Sequence, residues 1–282
     1  MIVTDDSPDE SVKNFFSDYT EVPNVLYFRN TQPLGTPENW NEAIRKASGK
    51  WIKIMHDDDW FADGNALGNF AKVASEVKEC YFIYSAYKNV YEDSGTVETV
   101  KQSTFQKTLL SANPLNLFKK NFIGNPSCTM VRRDAEIFYD NRFKWVVDFE
   151  YYIRFLKTYP KVKYIERPLI NVGMNKEQVT QVSFRNPEVE IPENHLMLEK
   201  MGAGILRNVF VFDYYWRMYR NLGIRDEIEV QKYYSQPLTP TLAKMITSQK
   251  LIHPNLLRLP VVSKILMVLN YMKYTPFWIF SK

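Results

Sequence analysis

The chain has few cysteines, and their scarcity excludes several classes of protein. Cys80 and Cys128 are the only two among 282 residues. They are too few for a disulfide framework or a thiolate metal cluster. The first residues also lack the basic start and long apolar stretch of a secretory signal. We therefore expect a protein of a reducing compartment, and a cytoplasmic location.

Acidic residues are missing from the last part of the chain. The 53 residues after Glu229 contain no aspartate or glutamate but seven lysines and arginines. Because the formal net charge of the whole chain is only +4, the remainder must be net acidic. This asymmetry predicts a catalytic or binding body with a basic appendage. The total charge is too small to indicate binding to nucleic acid.

Long hydrophobic runs are also absent from the first two-thirds of the chain, where short apolar runs alternate with helical patterns. Strands are predicted at residues 2–4, 25–28, 51–55, 80–87, 127–131 and 162–165, and helices at 11–19, 39–47, 66–77 and 149–156. This alternation predicts an α/β fold with a mostly parallel sheet sandwiched between helices. From about residue 193 the sequence pattern becomes that of long, aromatic-rich helices. We therefore predict a domain at 1–190 and a basic helical region at 191–282.

Two acidic clusters follow predicted strands. Asp5 and Asp6 come after the first, and Asp57, Asp58 and Asp59 come after the third. Taken alone, the triplet is better explained as an exposed acidic turn. However, the carboxyl ends of parallel strands meet at one edge of a sheet, where ligands bind. Adjacent carboxylates repel one another unless a cation neutralises them, and oxygen ligands suit Mg²⁺ or Mn²⁺ shared with a phosphate.

These segments resemble the family 2 glycosyltransferases, which are inverting enzymes with the Rossmann-like GT-A fold. The resemblance rests on four segments in order, at residues 2–7, 39–52, 56–61 and 145–154. It covers roughly the first two-thirds of the chain. Members of the family have one more strand and helix before the strand at Ile2. The resemblance therefore implies an N-terminally truncated GT-A domain.

The resemblance implies roles for individual residues of the donor site. Asp6 resembles the aspartate that reads the nucleobase. Asp57, Asp58 and Asp59 resemble the metal and diphosphate motif. All three are candidate metal ligands, with Asp58 and Asp59 as the first choices, and Asp57 is also a candidate donor contact. Asn39 is expected either to approach the diphosphate or to cap a helix. The implied ligands are a nucleotide-sugar, first of all a UDP-sugar, and Mn²⁺ or Mg²⁺.

The remaining site predictions concern the acceptor side. Asp148 resembles the general base, and inverting transfer needs one carboxylate to accept the proton of the acceptor hydroxyl. A helix N-terminus would keep that carboxylate ionised. The alternative is that Asp148 simply caps the helix, but the other motifs favour the base. Asn125 and Ser127 lie where the family faces its acceptor, or in an ordinary turn. His56 beside three aspartates is more simply a neighbour than a metal ligand. Residues 176–181 are expected to close over the donor.

The sequence thus predicts a metal-dependent inverting glycosyltransferase. It would move a sugar from a nucleotide-diphosphate donor to a glycan or lipid-linked acceptor in cell-surface polysaccharide synthesis. The alternative is a catalytically inactive remnant of the family that acts as a binding or structural protein. A nucleotidyltransferase would also combine acidic metal ligands with an α/β sheet, but the position of Asp148 argues against it.

Within residues 255–282, which are expected to meet a membrane surface, the stretch 259–280 is apolar and aromatic but forms a poor membrane-spanning segment. Two prolines and two lysines interrupt the apolar stretch. The segment suits a helix that lies on the anionic inner face of the cell membrane, with Tyr271, Tyr274, Phe277 and Trp278 at the interface. A helix packed back on the catalytic domain is the alternative.

Overall fold

The computed structural model describes residues 1–17, 24–174 and 184–275. The chain forms two compact units. The first contains Met1–Pro114 and Phe122–Lys176, and the second contains Leu115–Asn121 and Glu177–Lys282. A short segment from the middle of the sequence thus belongs to the second unit. The predicted division at residue 190 stays a prediction, and the predicted loop at 176–181 lies outside the described residues.

The first unit alternates strands and helices as the sequence pattern indicates. Its strands are β1 (Ile2–Asp5), β2 (Leu26–Arg29), β3 (Trp51–Ile52), β4 (Asp59–Phe61), β5 (Phe82–Tyr91), β6 (Val97–Val100), β7 (Thr129–Arg132) and β8 (Val162–Met174). Its helices are α1 (Ser11–Ser17), α2 (Glu38–Lys46), α3 (Ala66–Glu76), α4 (Thr104–Ala112) and α5 (Val147–Thr158). The predicted α/β fold class is confirmed.

The prediction of a mostly parallel sheet is wrong, because the strands form a mixed arrangement. β1 and β2 pair in parallel as a separate two-stranded sheet, and the larger sheet has the order β3-β7-β5-β8-β4 with β6 paired to β5. Among the described strands of that larger sheet, β5 and β8 are the one neighbouring pair that runs parallel. Parallel neighbours need a long crossover connection. The connection from β5 to β6 is too short for one, so these neighbours pair antiparallel.

The predicted strand at 51–55 is shorter than expected. β3 ends at Ile52, and residues 53–58 reverse the chain before β4 begins at Asp59. The acidic triplet therefore lies on a reversal between two strands and does not simply follow one. Its third member, Asp59, already pairs in the sheet opposite Val172 of β8.

Helix α3 covers one face of the larger sheet. Its buried residues Ala66, Phe70 and Ala74 are spaced four apart, so they share one side of the helix. They pack with Ile83 of β5 and Ile170 of β8 in one hydrophobic cluster. Burial of this cluster fixes the sheet that carries the acidic reversal.

The second unit is helical, as the aromatic texture predicts. Its helices are α6 (Pro187–Met201), α7 (Val209–Leu222), α8 (Glu227–Gln231), α9 (Pro240–Lys250), α10 (Pro254–Arg258) and α11 (Pro260–Tyr274). The Asn208 side chain caps α7 by accepting a hydrogen bond from Phe210 N at 2.8 Å. α7 buries Tyr215, Trp216 and Tyr219. Throughout the described part of the chain, every helix falls short of the length and hydropathy that a membrane crossing requires.

Candidate functional site

Asp6 lies just after β1 and shapes the loop that follows β2. Its half-buried carboxylate accepts hydrogen bonds from Asn30 Nδ2 at 2.7 Å, Leu34 N at 3.1 Å and Gly35 N at 2.8 Å. Gly35 has a φ of 71°, a conformation that glycine adopts without steric cost. The residue predicted to read a nucleobase therefore also organises residues 30–35.

Asn39 joins the same network from helix α2. Its Oδ1 accepts a hydrogen bond from Asn30 Nδ2 at 2.9 Å, and its Nδ2 donates to the Thr4 carbonyl at 3.2 Å. The alternative of a helix cap is wrong, because α2 begins at Glu38 and Pro37 is the N-cap residue. The Asn30 side-chain amide thus donates hydrogen bonds to both Asp6 and Asn39, the two residues predicted to contact the sugar donor.

The acidic reversal contains a group of possible metal ligands. His56, Asp58 and Asp59 each offer one ligand atom, and these atoms all lie within 4.8 Å of one another. Asp57 is exposed and is not part of this group. The Trp40 ring of α2 stacks on the His56 imidazole with 4.6 Å between ring centroids. This contact connects the group to the helix that carries Asn39.

Burial and hydrogen bonding prepare this group for a cation. The Asp59 side chain is buried, and burial raises the pKa of its carboxyl group. His56 Nε2 is buried and has no hydrogen-bond partner among the described residues. Burial lowers the pKa of His56, which favours the neutral imidazole that can bind a metal. His56 Nδ1 lies 3.8 Å from Asp59 Oδ2, and an imidazole grouped with two carboxylates fits a divalent ion.

Asn125 and Ser127, predicted to face the acceptor, hold the acidic reversal in place. Asn125 Nδ2 donates to Asp59 Oδ2 at 2.7 Å. The Ser127 hydroxyl is buried and accepts a hydrogen bond from His56 N at 2.9 Å. Both residues therefore support the possible metal ligands, and their contact with an acceptor stays a prediction.

Lys53 is a contributor that sequence reasoning missed. Its ammonium donates hydrogen bonds to the carbonyls of Ile54, at 2.7 Å, and Ser127. It also lies over the Phe70 ring, 5.4 Å from the centroid. Burial lowers the pKa of Lys53 to about 8. The only signal in the sequence was a single cation within the apolar run at 51–55.

Gly173 of β8 permits the close approach of the reversal to the sheet. Its backbone N–H points at the Asp58 carbonyl, 3.2 Å away, and at Asp59 Oδ1, 3.3 Å away. A Cβ atom at this position would collide with the Asp58 carbonyl oxygen. Only glycine therefore allows β8 and the acidic reversal to lie this close.

We expect Gly173→Ala to destabilise the fold by roughly 1–3 kcal/mol, because the added methyl group displaces the Asp58 backbone. Thermal unfolding with and without Mn²⁺ measures the effect, and the stabilisation by Mn²⁺ should also shrink. Gly68→Ala is the matched control, since Gly68 lies in α3 with open space around it. There alanine should stabilise the helix by about 1 kcal/mol. Equal melting temperatures for the two variants would contradict this interpretation.

Asp148 lies in the first turn of α5. The N-cap residue is Val146, with no side-chain cap, so the interpretation of Asp148 as the helix cap is wrong. Its Oδ1 instead accepts a hydrogen bond from Phe149 N at 2.7 Å. An ionised carboxylate is favoured at a helix N-terminus. The neighbouring Glu150 is buried and forms an ion pair with Arg154 at 2.8 Å, so it has a structural role.

The charge of Asp148 acts on two buried residues, and the charge of Asp59, one of the possible metal ligands, acts on one of them. Burial, and then the charge of Asp148, raise the pKa of Tyr152. Burial raises the pKa of the Cys128 thiol well above its usual range, and the charges of Asp59 and Asp148 act in the same direction. Cys128 therefore has both carboxylates within electrostatic reach. Its protonated, buried thiol is unsuited to nucleophilic attack.

The model of the family described as glycosyl transferase family 2 matches residues 1–138. This match covers 138 of the 282 residues, and this part of the chain is similar to that family. A curated relative is the putative colanic acid biosynthesis glycosyl transferase WcaA of Escherichia coli K12, which is 23% identical over 188 residues. The alignment covers 64% of this chain, and the chain spans 64% of the length of WcaA.

Two solved structures share the fold of this chain. S. aureus TarS 1–349 in complex with UDP-GlcNAc has a TM-score of 0.57 at 15% identity, covering 97% of this chain and 80% of TarS. The mannosyltransferase PcManGT from Pyrobaculum calidifontis, in complex with GDP-Man and Mn²⁺, has a TM-score of 0.52 at 12% identity. That match covers 97% of this chain and 75% of PcManGT. The predicted GT-A fold is thereby confirmed.

Proposed function

We propose that this protein is an inverting family 2 glycosyltransferase of cell-surface polysaccharide synthesis. It transfers a sugar from a nucleotide-diphosphate donor to a hydroxyl group of a glycan or a lipid-linked acceptor. The observation that carries this proposal is that His56, Asp58 and Asp59 offer ligand atoms within 4.8 Å of one another, in the compact unit that also contains the candidate base Asp148. The similarity to WcaA supports the polysaccharide pathway.

The donor is proposed to be a UDP-sugar. Asp6 can accept a hydrogen bond from the imide N–H of uracil, and its three bonds to residues 30–35 fix its orientation. Asn39 lies on the same network, and the exposed Asp57 remains a proposed donor contact. The complexes of TarS with UDP-GlcNAc and of PcManGT with GDP-Man support a nucleotide-sugar.

A divalent cation, Mn²⁺ or Mg²⁺, is proposed to bind at His56, Asp58 and Asp59. When bound, it supplies Lewis-acid stabilisation of the charge that develops on the departing diphosphate. The residues present fit such an ion, because His56, Asp58 and Asp59 each offer a ligand atom within 4.8 Å of the others, and His56 Nε2 is buried without a hydrogen-bond partner among the described residues. The Mn²⁺ in the PcManGT complex supports the same class of metal.

Asp148 is proposed to act as the general base. It accepts the proton of the acceptor hydroxyl while the oxygen attacks the anomeric carbon from the face opposite the diphosphate. The first turn of α5 keeps this carboxylate ionised between turnovers. A single displacement needs no covalent nucleophile, which agrees with the protonated state of Cys128. Asn125 and Ser127 are proposed to lie on the acceptor side.

The protein is proposed to work in the cytoplasm, bound peripherally to the inner face of the cell membrane. The support comes from the basic character of the chain after Glu229, which matches an anionic surface. A lipid-linked acceptor would be presented at that surface.

Calorimetric titration with UDP tests the proposed function. We expect binding in the presence of Mn²⁺ and an affinity at least tenfold lower after the metal is removed with a chelator, since a cation held by His56, Asp58 and Asp59 would neutralise the charge of the diphosphate. Metal-dependent binding without sugar transfer to any supplied acceptor would favour the inactive remnant. Absence of UDP and GDP binding with Mn²⁺ present would refute the proposed donor site.

A further inference from the structure

Helix α11 leaves one apolar side in solvent. Its opposite side is anchored to the second unit, where Ser263, Met267 and Tyr271 are buried at four-residue spacing. The exposed side carries large aliphatic residues whose exposed fractions range from 39% to 72%. These residues, called the α11 stripe below, are Val261, Ile265, Val268, Leu269 and Met272.

The spacing of the α11 stripe makes it continuous. At about 100° per residue, its five members fall within a sector of roughly 100°, directly opposite the buried side. Lys264 and Lys273 project about 90° to either side of the centre of the sector. An aliphatic sector bordered by a lysine on each flank is the pattern of a helix that lies in a membrane interface.

The charge of the chain around the α11 stripe indicates what kind of surface binds to it. A contiguous apolar patch exposed on a protein marks an interaction site. The chain after Glu229 has seven basic residues and no acidic one, so the complementary surface is anionic. Long lysine side chains can lie along apolar surface and keep their ammonium groups at the level of the headgroups.

We propose that the α11 stripe inserts side-on into the interface of an anionic phospholipid bilayer, with Lys264 and Lys273 among the headgroups. This inference rests on the proposed function, because it specifies how the enzyme would reach a membrane-held acceptor. The apolar sector lies in the acyl boundary, and α11 stays parallel to the membrane plane.

This membrane face differs from the one that the aromatic residues predict. Tyr271 is buried, and its hydroxyl donates to the Arg207 carbonyl within the second unit. Tyr274 is half-buried, and its hydroxyl accepts a hydrogen bond from Ser248 at 3.3 Å. Phe277 and Trp278 lie outside the described residues. The aliphatic side of α11 is therefore the side available to lipid.

The two flanking lysines differ in their partners. Lys264 forms an ion pair with Asp213 at 2.9 Å, and Asp213 also accepts a hydrogen bond from Arg217 at 3.2 Å. Lys273 is exposed, and its ammonium lies 5.1 Å from the centroid of the Tyr274 ring. Lys273 is thus the better position for a change of charge, since its replacement leaves the Asp213 pair intact.

Co-sedimentation of the full chain with lipid vesicles tests the proposal. The vesicles are phosphatidylcholine alone, or phosphatidylcholine with about one third phosphatidylglycerol. We expect binding to the anionic vesicles, a loss of at least about tenfold in partitioning for Ile265→Gln combined with Leu269→Gln, and a loss of about fivefold or more for Lys273→Glu. Ile228→Gln combined with Leu67→Gln is the matched control, because both residues are exposed and aliphatic but lie on other helices.

Three outcomes would overturn the proposal. They are equal partitioning of the stripe variant and the control, equal binding to neutral and anionic vesicles, and a wild-type dimer in light scattering that the stripe variant makes monomeric without a change in vesicle binding. The last outcome would assign the stripe to a second copy of the chain. Calorimetry with UDP and Mn²⁺ on the same variants keeps the two proposals separate, because unchanged UDP binding shows an intact donor site.

Discussion

Asp148→Asn should lower the turnover rate of sugar transfer by about 10²- to 10⁴-fold, the usual contribution of a general base. The amide can still accept the Phe149 N–H hydrogen bond through its oxygen, so the start of α5 should keep its structure. It cannot take the proton of the acceptor hydroxyl. Steady-state kinetics with saturating donor and acceptor measure the change, and calorimetry with UDP and Mn²⁺ should give an unchanged affinity.

Two further variants sharpen the test of Asp148. Asp134→Asn removes an exposed carboxylate paired with Arg132, and it should leave turnover unchanged. Glu150→Gln removes a buried carboxylate that is paired with Arg154 and has no proposed role in substrate binding. It should therefore lower the melting temperature more than the turnover rate. Full turnover by Asp148→Asn would eliminate Asp148 as the base.

Asp58→Asn should weaken Mn²⁺ binding by about 100-fold or more, because changes even to the partners of metal ligands cost about 10- to 100-fold in affinity. The structure places Asp58 with His56 and Asp59 and leaves Asp57 exposed outside that group. Asp57→Asn is therefore the matched comparison. It removes the same charge from the adjacent residue, and its effect on Mn²⁺ binding should stay below about tenfold.

Electron paramagnetic resonance of Mn²⁺ titrations, with and without UDP, measures both affinities. Thermal unfolding without metal controls for damage to the fold, since neither substitution changes the size of the side chain. If Asp57→Asn weakens Mn²⁺ binding as much as Asp58→Asn, the ligand group is wrong. The original assignment of all three aspartates would then be the better one.

The sequence predicts well the features that depend on neighbouring residues. The position of α3 follows from apolar residues spaced four apart, and β1 follows from a short apolar run that ends at Asp5 and Asp6. The helical character of the second unit follows from its pattern in the same way. These signals lie within a few residues, so one sequence contains them.

The sequence does not predict the features that depend on contacts between distant residues. Lys53 holds the acidic reversal through the carbonyl of Ser127, and Asp58 can approach β8 because residue 173 is glycine. Neither Ser127 nor Gly173 can be identified as a partner from residues 51–59 alone. Strand direction is also a long-range property, which explains why the mostly parallel sheet was wrong. The same limit applies to Asp57, since its exposure depends on how the reversal folds.

The contacts of Asn125 and Ser127 constrain how this protein could change its substrate. Asn125 positions Asp59 through its amide, and Ser127 positions His56 through its hydroxyl. Under the proposed function, a substitution here that favoured a new acceptor would also disturb the candidate ligands of the cation. Adaptation to a different glycan would then proceed through other residues.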